Sequence, residues 1–590
     1  MNKITRKLLR LRLKYLTGKQ FIIILSVILG VMSGMAAVVI KTFVHFISGW
    51  VSQFTSSTEH FNYFIIIFPS LGILLTVLFV KYIIKHPVRE GVPSVLYAIS
   101  KNNGIIRAHN MFSSIIASSL TVGMGGSVGL EGPTVATGAA FGSNIGRAFR
   151  LNYKQITLLL GCASAAAMSA IFKAPIAAIV FAIEVLMLDL TMASILPLLL
   201  ASASGLVTSY YFMGQDVLYP FEIKELYELN QIPYYIFLGV FTGLFSIYFS
   251  KSYVSLAEFF DKIGNIYKKL MIGGISLGIL IFFFPTLYGE GYQDINSCLS
   301  GNWDYLFKND IFQIFQDNIY VIMILLLAVI LLKIIATSIT FGAGGVGGIF
   351  APTLFMGANI GMLFSTIINK LGIHKLPINN FALIGMAGMI AGVLHAPLTG
   401  IFLIAELSGG YQLFFPLMIT ATFSFLVVNV YSKHSVYAIQ LARRKELITH
   451  NKDKAILTLM DVKSLIETNF NTVDVDSTLG DLVKVVSKSQ RNIFPVVDKE
   501  NNMLGVVFIN DIRDIIFKPE LYDTTYVRDL MFMPHPIVDP DESMEDIAKK
   551  FSETQHYNLP VLKDGKYVGF VSRANVFSTY REKLKEFSEY

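Results

Sequence analysis

The chain has 590 residues, of which 53% are hydrophobic and only 15% are charged, and its mean hydropathy is +0.57. This composition excludes an ordinary soluble protein of mixed domains and predicts a membrane protein. The formal net charge of +7 indicates membrane topology and lipid contact rather than nucleic-acid binding. Cys162 and Cys298 are the only cysteines, which argues against a disulfide framework and against a thiolate metal site.

Residues 1–20 form a basic segment with seven lysines and arginines and no acidic residue. By the positive-inside rule we expect this N-terminus in the cytoplasm. The apolar run that follows is too long for a cleavable signal peptide and lacks a small-residue cleavage site.

Long apolar runs recur along the chain, and most are near or above the length that spans a bilayer as a helix. Shorter runs broken by Gly or Pro suit half-helices buried in protein, because irregular backbone at membrane depth must be satisfied by protein or water. The long runs are Phe21–Val39, Phe64–Val80, Ile156–Ile171, Thr191–Val207, Tyr234–Ser250, Ile272–Phe284, Ile319–Ile335 and Leu413–Val430.

Two motifs of the apolar region occur twice in the same order. Residues 131–140, EGPTVATGAA, match residues 350–359, FAPTLFMGAN, and residues 174–184, APIAAIVFAIE, match residues 396–406, APLTGIFLIAE. We therefore predict one membrane domain over 21–443 that contains a duplicated unit, with halves at about 21–213 and 232–443. Whether the halves are inverted or parallel stays open at this point.

The character of the sequence changes after the membrane domain. Residues 444–460 form a charged linker, and two similar segments follow at 461–518 and 527–585. Each copy predicts a short strand, an amphipathic helix, two strands around a turn and another helix. The tail resembles a tandem pair of CBS domains.

Three Gly/Pro segments have the form of a helix that begins inside the membrane: GLEGP at 129–133, GIFAP at 348–352 and GVP at 91–93. The N-terminus of such a helix offers free backbone N–H groups and the positive end of the helix dipole, which together bind anions. Glycine lets an ion approach the backbone, and proline in the first turn needs no N–H partner. Together in a duplicated unit, these segments predict an anion pathway.

With these motifs the chain resembles the CLC family of chloride channels and chloride/proton exchangers. GSVGLEGP is similar to the glutamate-bearing filter motif of the family, GGIFAP to the second filter motif, and SVYAIQLARR to the final helix with its pore-facing tyrosine. The resemblance implies an all-α polytopic membrane protein, built from a duplicated helical unit with broken half-helices and followed by an α/β CBS-domain pair. It also implies a homodimer in membrane lipid with one chloride pore per subunit, other small anions being alternative cargo.

The resemblance assigns Glu131 as the gating glutamate, which competes with chloride for the same N–H groups and leaves when it is protonated. It assigns the central anion site to backbone groups of Ile349 and Phe350 and to the hydroxyl of Tyr437. The full set of expected filter residues is Gly91, Val92, Gly129, Gly132, Ile349, Phe350, Ala351 and Tyr437.

Three residues depart from the family pattern. Glu90 stands where a serine is common, and its carboxylate is expected to turn away from the anion. Leu130 replaces a basic residue, which predicts a less positive outer mouth. Val185 stands where exchangers carry an internal proton-accepting glutamate, so this proton acceptor is missing. The preceding Glu184 and its repeat equivalent Glu406 are expected to be structural acids that satisfy helix ends or pair across an interface.

The resemblance to CBS domains implies a nucleotide-contacting turn in each copy, of which this chain keeps parts at Asp511, Ser572 and Asn575. A regulatory adenine nucleotide, ATP or AMP, and a purely structural pair are both open, and no cofactor is required. The sequence shows no paired nucleophile and base, no metal-ligand cluster and no phosphate loop, so we expect neither an enzyme nor a metal site.

The leading prediction is a voltage- or pH-gated chloride channel, ahead of a chloride/proton exchanger. A sodium- or proton-driven transporter of an organic solute and a membrane-anchored nucleotide sensor are the weaker alternatives. We expect a multi-pass protein of the bacterial inner membrane with the N-terminus and the CBS pair in the cytoplasm.

Overall fold

A computed structural model describes residues 17–55, 64–88, 91–188, 191–215, 227–443, 457, 460–554 and 556–588. The chain divides into two compact units, Met1–Leu447 and Ile448–Tyr590, and each has hydrophobic clusters of its own. The expectations for the basic segment before residue 17, for Glu90 and for nearly all of the linker 444–460 lie outside the described residues.

The first unit is helical throughout its described part. Asparagine caps begin several helices: Asn152, Asn265 and Asn318 each accept a hydrogen bond from a backbone N–H of the first turn, which satisfies a donor that the helix itself leaves unpaired. The helices of the first half are α1 Gly18–Thr55, α2 Phe64–Leu78, α3 Gly91–Lys101, α4 Asn110–Gly123, α5 Glu131–Ala148, α6 Tyr153–Phe172, α7 Pro175–Glu184 and α8 Met192–Met213.

The second half contains a further ten α-helices in its described residues. Its helices are α9 Ile232–Asp261, α10 Ile266–Phe283, α11 Tyr292–Leu299, α12 Asp310–Gln313, α13 Ile319–Gly342, α14 Phe350–Lys370, α15 Ile378–Leu394, α16 Pro397–Leu407, α17 Phe414–Tyr431 and α18 Val436–Arg443.

The predicted apolar runs all fall largely within helices. Nine helices of the described residues are long and apolar enough to cross a membrane, and they include α14, which the sequence analysis did not count as a span. Small residues allow close helix packing: a methyl group added at Gly142 would meet the backbone of Leu159 on α6 at 2.5 Å. Such small-residue contacts are typical of helices that associate in lipid.

The equivalent helices α7 and α16 lie side by side and run antiparallel. Glu184 at the end of α7 accepts the N–H of Thr399 in the first turn of α16 at 2.7 Å, and Glu406 near the end of α16 accepts the N–H of Ala177 in the first turn of α7 at 2.8 Å. The prediction that both acids satisfy helix ends is confirmed. Because the equivalent helices are antiparallel, the two halves form an inverted repeat.

The second unit contains two three-stranded sheets, with strand orders β1-β6-β5 and β2-β3-β4. The amphipathic helix of the first copy, α20 (Leu479–Lys488), begins with a capping box between Thr478 and Asp481. The elements are α19 Val462–Leu465, β1 Ile466–Glu467, β2 Val473–Asp474, α20 Leu479–Lys488, β3 Ile493–Val497, β4 Met503–Phe508, α21 Val527–Leu530, α22 Met544–Thr554, β5 Asn558–Lys563, β6 Lys566–Ser572 and α23 Arg573–Ser588.

The predicted last helix of the first CBS copy is wrong. Residues 509–517 form successive turns, and a short 3₁₀ segment, Pro519–Leu521, follows them. The isoleucines of this segment lose side-chain freedom in a helix, and Pro519 stops any continuation. The second copy keeps its last helix as α23.

Candidate functional site

Three helices of the membrane unit begin at one place. A methyl group added at Gly91, the first residue of α3, would collide with the backbone of Gly132 in the first turn of α5. A methyl group added at Gly132 would lie 3.2 Å from Cα of Gly348, two residues before α14. The backbones therefore touch where no side chain intervenes, and the N-termini of α3, α5 and α14 converge.

The loops before α5 and α14 are paired directly. The N–H of Gly129 donates to the carbonyl of Gly348, the N–H of Gly348 donates to the carbonyl of Gly129, and both distances are 2.8 Å. At the start of these loops, Gly125 and Gly344 have φ angles of +98° and +106°, which side chains rarely tolerate. The two loops have the same local geometry because they are equivalent segments of the inverted repeat.

Glu131 is the first residue of α5 and is 2% exposed. Its Oε1 accepts a hydrogen bond from the hydroxyl of Tyr292 on α11. Its Oε2 lies against Gly129, since a methyl group added there would touch this oxygen and would lie 2.8 Å from Cβ of Ala351. The carboxylate predicted to be the gate therefore lies at two of the residues predicted to form the filter.

The other predicted filter residues lie on the same helix starts or pack near them. Ile349 and Phe350 begin α14, and the Phe350 ring packs 5.1 Å from the ring of Phe172. Val92 is buried in the first turn of α3. Tyr437 is 5% exposed on α18, which packs against α3.

A cavity of about 690 Å³ opens beside these helix starts. It is lined by the first turn of α3 at Pro93 and Ser94, by the loop Gly344–Val346, and by Leu441 on α18. Lys81, Lys85 and His86 also line it. Cations at the mouth of a cavity raise the local concentration of anions, and the sequence analysis did not identify this cluster.

The sequence analysis also missed a group of charged residues around Glu131. Glu290 accepts the N–H of Leu130 at 3.2 Å, and Lys333 is fully buried and donates to the carbonyl of Gly289 at 3.0 Å. Lys41 on α1 donates to the carbonyl of Ile171 at 2.7 Å and interacts electrostatically with Glu131 and Glu290. A single lysine in a long apolar run indicates a functional residue, and both Lys41 and Lys333 fit this pattern.

Val185 follows α7 and is 4% exposed. An aliphatic side chain is therefore buried where the family pattern for exchangers has a carboxylate, and Glu184 beside it is engaged with α16.

The three residues predicted to contact a nucleotide divide into two groups. Ser572 and Asn575 lie together, since the hydroxyl of Ser572 accepts the N–H of Asn575 at 3.1 Å. The same hydroxyl donates to Glu467 at 2.7 Å, and Glu467 pairs with Arg491 at 2.8 Å. Asp511 lies exposed among the turns after β4. The hydroxyl of Ser572 thus already donates its hydrogen bond to a carboxylate, that of Glu467.

A family model described as voltage gated chloride channel matches residues 71–429, more than half of the chain, and CBS domain models match residues 462–518 and 527–582. A putative chloride channel protein, ClcB-like, from Ralstonia nicotianae is 29% identical over 392 residues. The match covers 64% of this chain and 85% of the relative.

Solved structures with similar folds include a slow cyanobacterial Cl⁻/H⁺ antiporter. It has a TM-score of 0.62 and 19% identity, and the match covers 73% of this chain and 98% of that chain. A eukaryotic CLC transporter has a TM-score of 0.59 and 17% identity, with 94% of this chain and 97% of that chain covered. At these identities the likeness establishes the fold, which confirms the predicted membrane architecture with its CBS-domain pair.

Proposed function

Because the chain belongs to the voltage gated chloride channel family, we propose that it carries chloride selectively along a path that Glu131 gates. As a member it is a multi-pass membrane protein of anion transport, and the family is one of channels and transporters rather than of catalytic enzymes. The observation that carries the proposal is the place of the Glu131 carboxylate, against Gly129 and Ala351. Helix N-termini that converge there favour an anion, and an ionised carboxylate occupies such a site until a proton or a competing chloride displaces it.

In this proposal the protein conducts passively as a channel opened by voltage or pH. Val185 supports passive conduction, because a buried aliphatic side chain cannot hold a proton on the way to Glu131. The alternative is chloride/proton exchange, and its supporting observation is Glu290, a second carboxylate beside the gate. Exchange needs proton-binding groups in addition to the gate.

The two mechanisms differ in one measurement. Purified protein is reconstituted into liposomes with a chloride gradient, and chloride efflux and internal pH are recorded together. A channel dissipates the chloride gradient without coupled proton movement, whereas uphill proton movement driven by chloride supports the exchanger. The absence of any chloride flux would contradict chloride as the cargo. The same measurement with nitrate or fluoride in place of chloride gives the selectivity among small anions.

We further propose a homodimer in the bacterial inner membrane, with the N-terminus and the CBS pair in the cytoplasm. The basic residues of segment 1–20 support this orientation, and the bacterial relative supports the source membrane. Chemical cross-linking in lipid tests the dimer, and labelling of single cysteines introduced on either side tests the orientation.

For the CBS pair we propose a regulatory role without a required cofactor. An adenine nucleotide, ATP or AMP, would contact Ser572 and Asn575 on one copy or Asp511 on the other. The hydrogen bond from Ser572 to Glu467 disfavours phosphate binding at Ser572 and Asn575, because it holds a carboxylate beside the Ser572 hydroxyl. Chloride flux measured with and without nucleotide distinguishes this regulatory role from a structural role for the pair and from the weaker alternative, a membrane-anchored nucleotide sensor.

A further inference from the structure

The segment Glu290–Tyr292, which leads into α11, contacts Glu131 and the neighbouring Leu130, and we refer to it as the gate clamp. We infer that Glu290 and Tyr292 are positioning residues that hold Glu131 in the filter and set the pH at which it leaves. The inference rests on the proposed function, since it requires Glu131 to be the gate.

The first contact is to the backbone beside the gate. Leu130 is the N-cap residue of α5 and is 2% exposed, and its N–H donates to Oε1 of Glu290 at 3.2 Å. N–H groups at a helix start have no partner within the helix, and an acidic group there is favoured by the helix dipole. Glu290 therefore fixes the turn that presents Glu131.

The second contact is to the gate itself. Tyr292 begins α11, and its hydroxyl donates to Oε1 of Glu131. A hydrogen bond to the ionised form of a carboxylate stabilises that form. Tyr292 therefore favours the charged gate, which is the form that competes with chloride.

Hydrogen bonds anchor the residue directly before the clamp, Gly289. Its N–H donates to the carbonyl of Gly125 at 3.1 Å, and Nζ of Lys333 donates to its carbonyl at 3.0 Å. Gly291 has a φ angle of +84°, and a methyl group there would meet the ring of Phe355 at 2.7 Å. The clamp thus connects the loop before α5 to α13 and α14.

The charges that surround the two carboxylates come from three helices. Lys41 on α1 and Lys333 on α13 interact with Glu290, and Lys41 also interacts with Glu131 on α5. Asp294 on α11 is paired with Lys308 at 2.5 Å and faces Lys333. Among the described residues, Lys41 and Lys333 donate to backbone carbonyls, so their charges act on the carboxylates over a distance.

Two carboxylates that share a buried site disfavour each other's ionisation. The charge of either carboxylate therefore promotes proton uptake by the other, while the hydrogen bond from Tyr292 opposes proton uptake by Glu131. These two effects have opposite signs, and each can be removed by one substitution that keeps the size of the side chain.

The test measures chloride flux from liposomes over a range of external pH with the full chain. E290Q keeps an acceptor for Leu130 and removes the charge, so the pH of half-maximal flux should fall by about one unit. E290D keeps the charge and should stay near the wild-type midpoint. Y292F removes the hydrogen bond and should move the midpoint to higher pH.

Two controls separate this inference from the proposed function. If E131Q abolishes the pH dependence while E290Q and Y292F leave the wild-type midpoint unchanged, the inference is overturned and the gate assignment stands. If E131Q retains the wild-type pH dependence, the gate assignment itself fails. In the double variant E131Q/E290Q the second substitution should have no further effect on the profile, and an added shift would overturn an action through Glu131. Should E290Q not reconstitute, Y292F decides, since no shift or a downward shift contradicts the inference.

Discussion

Gly129 and Gly348 exchange two backbone hydrogen bonds of 2.8 Å although 219 residues separate them in the chain. This pair joins the loops that precede α5 and α14, and it lies at the contact between the two halves of the inverted repeat. The filter that we propose is therefore formed at the interface between the halves, and neither half contains it alone.

The first prediction concerns this close backbone contact. A methyl group at Gly348 would lie 2.8 Å from the N atom of Gly132, so G348A should separate the helix starts and lower both flux and thermal stability. Overpacking of this kind costs about 1–3 kcal/mol. G49A is the matched control, because a methyl group at Gly49 on α1 meets nothing within 4 Å. Equal flux in the two variants would contradict the importance of the contact.

The second prediction concerns the reciprocal acids of α7 and α16. E184A and E406A each leave N–H groups at a helix start without their acceptor, which should cost about 0.5–2 kcal/mol of stability. Thermal unfolding of the purified protein measures this loss, and the Gln variants should lose less because an acceptor oxygen remains. Chloride flux per folded molecule should be retained. Loss of flux without loss of stability would assign the acids to the transport path.

The third prediction concerns the CBS pair. E467A removes a carboxylate from Ser572 and releases Arg491, so AMP should bind to the variant several-fold more tightly than to the wild type, a gain of about 1 kcal/mol. Calorimetric titration of the full chain measures the affinity for AMP. The double variant E467A/R491A is the control, because it shows how much of the gain comes from the Arg491 cation that E467A releases. Weaker AMP binding by E467A would instead make Glu467 a nucleotide ligand.

The fourth prediction concerns pH and the stability of the CBS unit. Lys463 pairs with Asp541 at 2.6 Å, and its hydrogen bond and charge lower the pKa of Asp541. A carboxyl group with a lowered pKa in the folded state stabilises the fold above its unfolded pKa of about 3.9, and the contribution is lost as the pH falls through the folded value. D541N should therefore destabilise the unit more at pH 6 than at pH 3, as measured by hydrogen exchange over residues 460–588. An equal effect at both pH values would contradict this account.

Much of the fold could be predicted from the sequence because apolar runs and Gly/Pro segments are local signals. The run Ile319–Ile335 predicts α13, and GLEGP and GIFAP predict the starts of α5 and α14 within two residues. The inverted arrangement could not be predicted, since it depends on contacts such as that between Glu184 and Thr399, which are distant in the chain.

The residues that surround Glu131 also could not be predicted from the sequence. Glu290 lies in a short turn with no periodic pattern, and its partner Leu130 is 160 residues away. Lys333 carried a usable signal, a single charge in an apolar helix, yet only the fold places it beside Gly289. In the first CBS copy the sequence predicted a last helix, but β-branched residues and Pro519 favour the observed turns.

We propose that the carboxylate of Glu131 occupies the anion site and leaves it when it is protonated. Chloride flux through E131Q in liposomes, measured over a range of pH beside the wild type, tests this role. E131Q should conduct at a rate independent of pH, because a neutral amide cannot compete with chloride for the helix N-termini. Flux through E131Q with the same pH dependence as the wild type would contradict the gating role of Glu131.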